Sequence, residues 1–301
     1  MPRRLAALLL AALAGPAGGV IVGPGEGSET AAPPADDPGF AHLGQRGEVT
    51  AISLGGGWML TAAHAAPGDV VVAGTSYPFV AGSHALLAAP EPGAPPPDLA
   101  LFRVDPSPRL PALALRSRPP AVGDEVVLAG FGRDRGEAIR WRGIRGFAWA
   151  ATHAMRWGTN QVHASGLDFE SAGFRTRAFS TQFNAFGTRY EAQATHGDSG
   201  GAAFLRGPDG WELAGVLLSV ALYEGQPSSA ALYGNQTLVA DLSAYRAEIL
   251  ARTRPDTAAP GGPDASGAST GAPRAPQPAA GAAPSRGDHG PAGTAAKPPP
   301  R

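Results

Sequence analysis

The chain has 301 residues and a mass of 30.4 kDa, enough for one large or two modest domains with a buried core. Its formal net charge of −1, from 24 basic and 25 acidic residues, gives no electrostatic reason to expect nucleic acid or a charged membrane surface as partner. Cysteine is absent, which excludes disulfides, thiolate metal sites, a cysteine nucleophile and a lipid-modified cysteine.

Arg3 and Arg4 open the chain, an apolar run follows over residues 5–14, and small Ala12 and Ala14 close it. This is the pattern of an export signal. Ten helical residues rise about 15 Å, half of a hydrocarbon core, so the run is too short for an anchor. A signal peptide over 1–19 is expected, with Ala14 as an alternative cleavage point. The mature protein is expected to be secreted or periplasmic, with no stable membrane insertion. Residues 254–301 hold eleven Pro, eight Gly and thirteen Ala, and no Val, Ile, Leu, Phe, Trp, Tyr or Met. Burial cannot offset the ordering entropy of such a segment, so a disordered tail is expected. The folded part is then 20–253.

Within it, β-prone runs recur at 49–54, 70–73, 99–104, 125–129, 161–163, 211–219 and 237–240, with Gly, Pro and Asp between them. Asp69, Gly74 and Pro78 bracket a hairpin, and the Pro-rich stretch 116–122 suits a crossover between two halves. One helix is predicted over 241–252. Asp241 or Ser243 can cap it, and Leu242, Tyr245 and Ile249 fall at i, i+3 and i+7. Regularly spaced strands and one terminal helix argue for an all-β class, sandwich or barrel.

Three short motifs carry chemistry. In Leu60-Thr61-Ala62-Ala63-His64 a β-run ends in small residues that let backbone approach and hold an imidazole. In Asp98-Leu99-Ala100-Leu101 a carboxylate opens an apolar strand after Pro95-Pro96-Pro97. Such a carboxylate can accept an imidazole N–H and fix its tautomer. In Gly197-Asp198-Ser199-Gly200-Gly201 the glycines permit a tight loop, and the N–H groups of Gly197 and Ser199 can converge on one oxygen. A hydroxyl, a base and a group to orient that base are what amide hydrolysis at neutral pH needs.

These strings resemble the chymotrypsin-type (trypsin-like) serine proteases. Weaker matches are Ile21-Val22-Gly23, Val127-Leu128-Ala129-Gly130-Phe131-Gly132 and the strand at 213–219. The resemblance implies two packed six-stranded antiparallel β-barrels over about 20–118 and 119–240, with a C-terminal helix. It implies an exported endopeptidase, a monomer acting on protein or peptide without cofactor or metal. Ser199 would be the nucleophile, His64 the general base and then acid, and Asp98 its orienter. The N–H groups of Gly197 and Ser199 would form the oxyanion hole. Family correspondence puts Gln193 at the base of the primary pocket and Ser219, Val220 and Ala221 on its wall. Gln193 stands where an arginine-seeking pocket has Asp, so a small, apolar or neutral side chain is expected before the scissile bond. Ala65 and Thr195 stand where the family commonly has Cys. Asp198 would pair with a new α-amino group at Ile21 on activation. His196 can line the cleft, whereas Trp141, Trp149 and Trp157 are expected in core or loop packing. Two other functions remain open on these residues: a non-catalytic binding module on the same fold, and an esterase-like hydrolase.

Overall fold

The structure, a computed structural model, describes residues 19–23, 25 and 28–254. The expected signal peptide and tail lie outside these residues, except for Gly19 and Arg254. Strands form where the sequence alternates between two buried faces. In the strand Val49–Gly55, Ala51 packs into one apolar cluster with Met59, Val70, Val72 and Phe102, while Ile52 and Leu54 join another with Leu60, Leu101, Phe204, Val216 and Ile249. Both faces are therefore inside, which is why these strands read as near-continuous apolar runs. The second cluster takes residues from both halves of the fold and glues them together.

The second half closes as a six-stranded barrel, in the order Arg156–Ser171, Phe174–Gln182, Gln236–Asp241, Gly210–Ala221, Ala202–Gly207 and Glu125–Gly130. Val126, Leu128, Val162, Phe179, Leu217 and Val239 fill it. The first half is a seven-stranded sheet instead of a six-stranded barrel, running Thr75–Tyr77, Val70–Val72, Leu43–Arg46, Val49–Gly55, Trp58–Thr61, Ala100–Arg103 and Ala85–Leu86. It curls back on itself without a full ladder. Pro78 has no N–H to donate, so closure rests on single bonds from Val80 N–H to the Arg103 carbonyl (2.9 Å) and from Asp105 N–H to the Pro78 carbonyl (3.0 Å).

The segment between the two halves is pinned to the second. Leu115 bridges Leu213, and buried Arg116 reaches Glu212 at 3.1 Å and Asp124 at 3.4 Å. The terminal helix begins one turn later than predicted. The Asp241 carboxylate accepts from Ser243 N–H (3.0 Å) and caps a 3-10 turn, Leu242–Ala244, before the α-helix Arg246–Thr253. Leu242, Tyr245 and Ile249 are all buried. Among the described residues no helix is long and apolar enough to cross a membrane.

Candidate active site

Apolar residues of the strand Trp58–Thr61 lock it into the sheet, and the chain then turns through Ala63–Ala65. Buried Ala62 and Ala65 anchor that turn, and the Arg46 guanidinium bonds the Ala65 carbonyl. His64 is thereby held by its own backbone. Its N–H donates to Asp98 Oδ1 at 2.9 Å, and its Nδ1 lies 2.6 Å from Asp98 Oδ2.

Asp98 is buried at the end of the proline run, ahead of the strand Ala100–Arg103. Its own N–H donates to Thr176 Oγ1 at 2.9 Å, and Arg175 N–H donates to the Pro96 carbonyl at 3.0 Å. Both partners sit on the barrel strand Phe174–Gln182. Arg177 on the same strand pairs with Glu91 and Asp168, and the Tyr245 hydroxyl accepts from its N–H at 2.8 Å. The loop carrying Asp98 is thus held by side chains of the other half, none of them marked by a local motif.

Ser199 Oγ lies 2.9 Å from His64 Nε2. The structure therefore brings His64, Asp98 and Ser199 into one hydrogen-bonded chain. The strand Val49–Gly55 braces the serine loop from across the interface. Thr50 N–H donates to the Ser199 carbonyl (3.0 Å), Thr50 Oγ1 donates to the Gly197 carbonyl (3.2 Å), and Oγ1 accepts from Phe131 N–H (2.8 Å). Gly197 has φ +99°, and a Cβ there would lie 2.6 Å from the Glu48 carbonyl oxygen, so only glycine fits. Among the described residues neither the Gly197 nor the Ser199 N–H has an acceptor.

Asp198 points the opposite way, into the protein. Its Oδ2 accepts from Thr195 N–H at 2.7 Å and from the Thr195 hydroxyl at 3.1 Å. Complete burial pushes its carboxyl up to about 7, against the pull of the Thr195 and Gly132 donors. Ile21 is not brought to it. The strand Ile21–Val22 pairs with Ala192–Gln193, and Ile21 packs with Phe183 and Ala231. Ile21 is held in that ladder within the continuous chain, and two residues earlier the Gly19 N–H donates to the Gly132 carbonyl at 3.1 Å.

The raised carboxyl has a consequence for stability. Below about pH 4 Asp198 is protonated both folded and unfolded. Between about 4 and 7 the unfolded chain releases the proton and the folded one retains it, so stability falls as pH rises through that window. Asp198→Asn removes the titration. Its stability relative to the native chain is expected to rise by on the order of 4 kcal/mol between pH 4 and pH 8, as read by urea unfolding. A difference that stays flat with pH would contradict a carboxyl raised by burial.

A cavity of about 280 Å³ opens beside Ser199, lined by Trp149, Ala194, Thr195, His196, Leu217, Leu218, Ser219, Val220 and Ser228. Ser219, Val220 and His196 line this cavity, and Gln193 and Ala221 do not. Strand pairing with Ile21 draws Gln193 fully inside, away from the cavity. A register shift between Leu217 and Ser219 breaks the alternation of the wall strand, and Ala221 ends up exposed beyond it. Trp149 and Ser228 take part instead. Trp149 lies on the strand Ile144–His153, tied by its N–H to the Ser229 carbonyl at 2.8 Å. Trp157 is core, and Trp141 stacks on Tyr223. A larger cleft of about 580 Å³, lined by Trp157, Phe186, Tyr190 and Trp211, shares no residue with this cavity.

A family profile described as a trypsin-like peptidase domain matches residues 49–216, more than half of the chain. The chain belongs to the trypsin-like serine peptidases. No curated protein matches it. Among solved structures it is similar in fold to neuropsin, a serine protease expressed in the limbic system of mouse brain, with a TM-score of 0.51 and 15% identity over 75% of this chain and 98% of that one. An inactive form of Rv3671c from M. tuberculosis aligns with a TM-score of 0.45 and 14% identity over 75% of this chain and 98% of that one. The trypsin-like fold implies a protein or peptide substrate.

Proposed function

We propose that this trypsin-like peptidase is an endopeptidase in which Ser199 attacks the scissile carbonyl. The observation that carries the reading is the continuous chain from Asp98 through His64 to Ser199, at 2.6 and 2.9 Å. A carboxylate only accepts, so His64 Nδ1 carries the proton and donates it to Asp98 Oδ2. That leaves the Nε2 lone pair facing the Ser199 hydroxyl. As Oγ attacks, His64 takes its proton and Asp98 stabilises the imidazolium. His64 then returns the proton to the leaving amine, and water completes hydrolysis of the acyl-enzyme by the same route. The free N–H groups of Gly197 and Ser199 receive the oxyanion. Ester bonds would yield to the same groups.

Ala194, Leu217, Leu218 and Val220 give the cavity beside Ser199 apolar surface, and no carboxylate is among its lining residues. A buried substrate cation would find no counter-charge there. Profiling the mature protein on a proteome-derived peptide library is expected to give endoproteolytic cleavage after neutral side chains, lost in Ser199→Ala. Dominant cleavage after Arg or Lys would contradict the specificity, and no cleavage at all would contradict the activity. The charged start and apolar run of residues 1–14 support action outside the cytoplasm, and N-terminal sequencing of the protein from the cell exterior checks this.

A further inference from the structure

The serine loop of this chain has no cysteine to cross-link it. Thr195 occupies a node in its place. Its hydroxyl accepts from Arg133 N–H at 2.8 Å and has its proton within reach of Asp198 Oδ2 (3.1 Å), the Arg133 carbonyl (3.2 Å) and the His196 carbonyl (3.5 Å), Asp198 being the nearest. Its N–H donates to the same carboxylate oxygen at 2.7 Å, and its carbonyl accepts from Asp198 N–H at 3.1 Å. Arg133 N–H also reaches the His196 carbonyl at 3.0 Å. In a trans peptide the C=O and N–H point in opposite directions. Holding the His196 carbonyl against Arg133 therefore turns the Gly197 N–H toward the cleft that His196 and Ser199 line. The node is packed without slack, since a Cβ on Gly132 would lie 2.3 Å from Asp198 Oδ2 and 2.4 Å from Thr195 Oγ1.

We propose that Thr195 is a positioning residue for the oxyanion hole, its hydroxyl tying the strand beginning at Arg133 to Asp198 so that the His196–Gly197 peptide presents its N–H to the reacting carbonyl oxygen. Resting on the protease reading above, the proposal adds that this loop is set by a hydroxyl within it. Without the hydroxyl, Arg133 N–H and Asp198 Oδ2 each lose one of their partners, and the strand beginning at Arg133 is no longer tied to Asp198 through a side chain, so the His196–Gly197 peptide is held by the single Arg133 N–H bond to the His196 carbonyl. A donor that serves the transition state alone affects kcat and leaves KM nearly unchanged.

The test compares Thr195→Val, which keeps the shape and removes the hydroxyl, with Thr195→Ser, which restores it. Both are measured beside the native chain for kcat and KM on a peptide from the library profile, and for the rate of phosphonylation of Ser199 by a fluorophosphonate. Thr195→Val is expected to lose on the order of 10²-fold in kcat, the scale of one displaced oxyanion donor. Its KM should stay within about 3-fold, its phosphonylation should slow in parallel, and Thr195→Ser should recover most of the rate. A Thr195→Val protein that keeps its kcat, or Val and Ser variants that fall together, overturns the proposal. Should Thr195→Val not fold, Thr195→Ala replaces it, compared with Thr195→Ser at a temperature where both are folded and judged by the same ratio. A native chain that neither cleaves peptides nor reacts at Ser199 overturns the protease reading, and this proposal with it.

Discussion

Ser199→Ala is expected to lower kcat by on the order of 10⁶, to a residue of about 10³ to 10⁴ over the uncatalysed reaction. What remains is the work of the groups the substitution leaves in place, the Gly197 and Ser199 backbone N–H groups and the cavity beside them. The loop itself should not collapse. It is held by Thr50 through both the Gly197 and Ser199 carbonyls, by Gly200 N–H on the Leu217 carbonyl (2.9 Å) and by Gly201 N–H on the Asp198 carbonyl (2.8 Å), none of which uses the serine side chain. Because Ser199 and His64 act as one unit, adding His64→Ala to Ser199→Ala should cost little more. Initial rates on a peptide from the library profile decide it, and a single variant with near-native turnover contradicts it.

Asp98→Asn is expected to cost on the order of 10⁴ in kcat near neutral pH, the size this substitution has in proteases of this kind. The geometry here gives the reason. Asp98 accepts twice from the same residue, on Oδ1 from the His64 N–H and on Oδ2 from the imidazole. An asparagine must offer its oxygen to the backbone N–H, which can only donate. Its NH₂ group then faces Nδ1 and forces that nitrogen to accept. The imidazole proton moves to Nε2, opposite Ser199, where no base is left to take the hydroxyl proton. Both contacts stay hydrogen-bonded, so the thermal midpoint should move little while turnover collapses. Equal turnover in Asp98→Asn and the native chain would remove Asp98 from the mechanism.

Much of the fold was legible because burial on two faces writes long apolar runs. The strands at 49–54, 125–129, 211–219 and 237–240 were found on that signal, close to their observed limits. The long hairpin Arg156–Ser171 with Phe174–Gln182 was not, beyond a fragment at 161–163. Toward its tip, charges across the two strands replace apolar alternation, with Asp168 on Arg175 and Arg177. Ala73-Gly74, Arg142-Gly143 and Ala172-Gly173 each have two positive φ values and close two-residue hairpins. The first is the hairpin that Asp69, Gly74 and Pro78 bracket in the sequence. Such turns favour Asn or Asp at the first position, and Arg142 and Ala172 there hid the other two.

The chemistry was more legible than the pocket. His64, Asp98 and Ser199 each sit in a local string that speaks of its setting, whereas the cavity wall depends on register. A register shift between Leu217 and Ser219 interrupts the wall strand, which keeps Ser219 and Val220 on the cavity and leaves Ala221 exposed beyond it, an outcome that family correspondence does not foresee. Trp149 and Ser228 reach the cavity through the pairing of Ile144–His153 with Ala230–Leu232, a long-range event that no local pattern announces. Thr50 and Thr176 were invisible for the same reason, each bonding a loop of the opposite half.

The most direct measurement is to treat the mature protein with a fluorophosphonate and map the adduct by peptide mass spectrometry, with His64→Ala alongside. One adduct, on Ser199, formed rapidly in the native chain and at a rate lower by several orders of magnitude without the imidazole, is the expected result. A protein that hydrolyses peptides yet carries no label on Ser199, or that is labelled as fast without His64, would contradict the account.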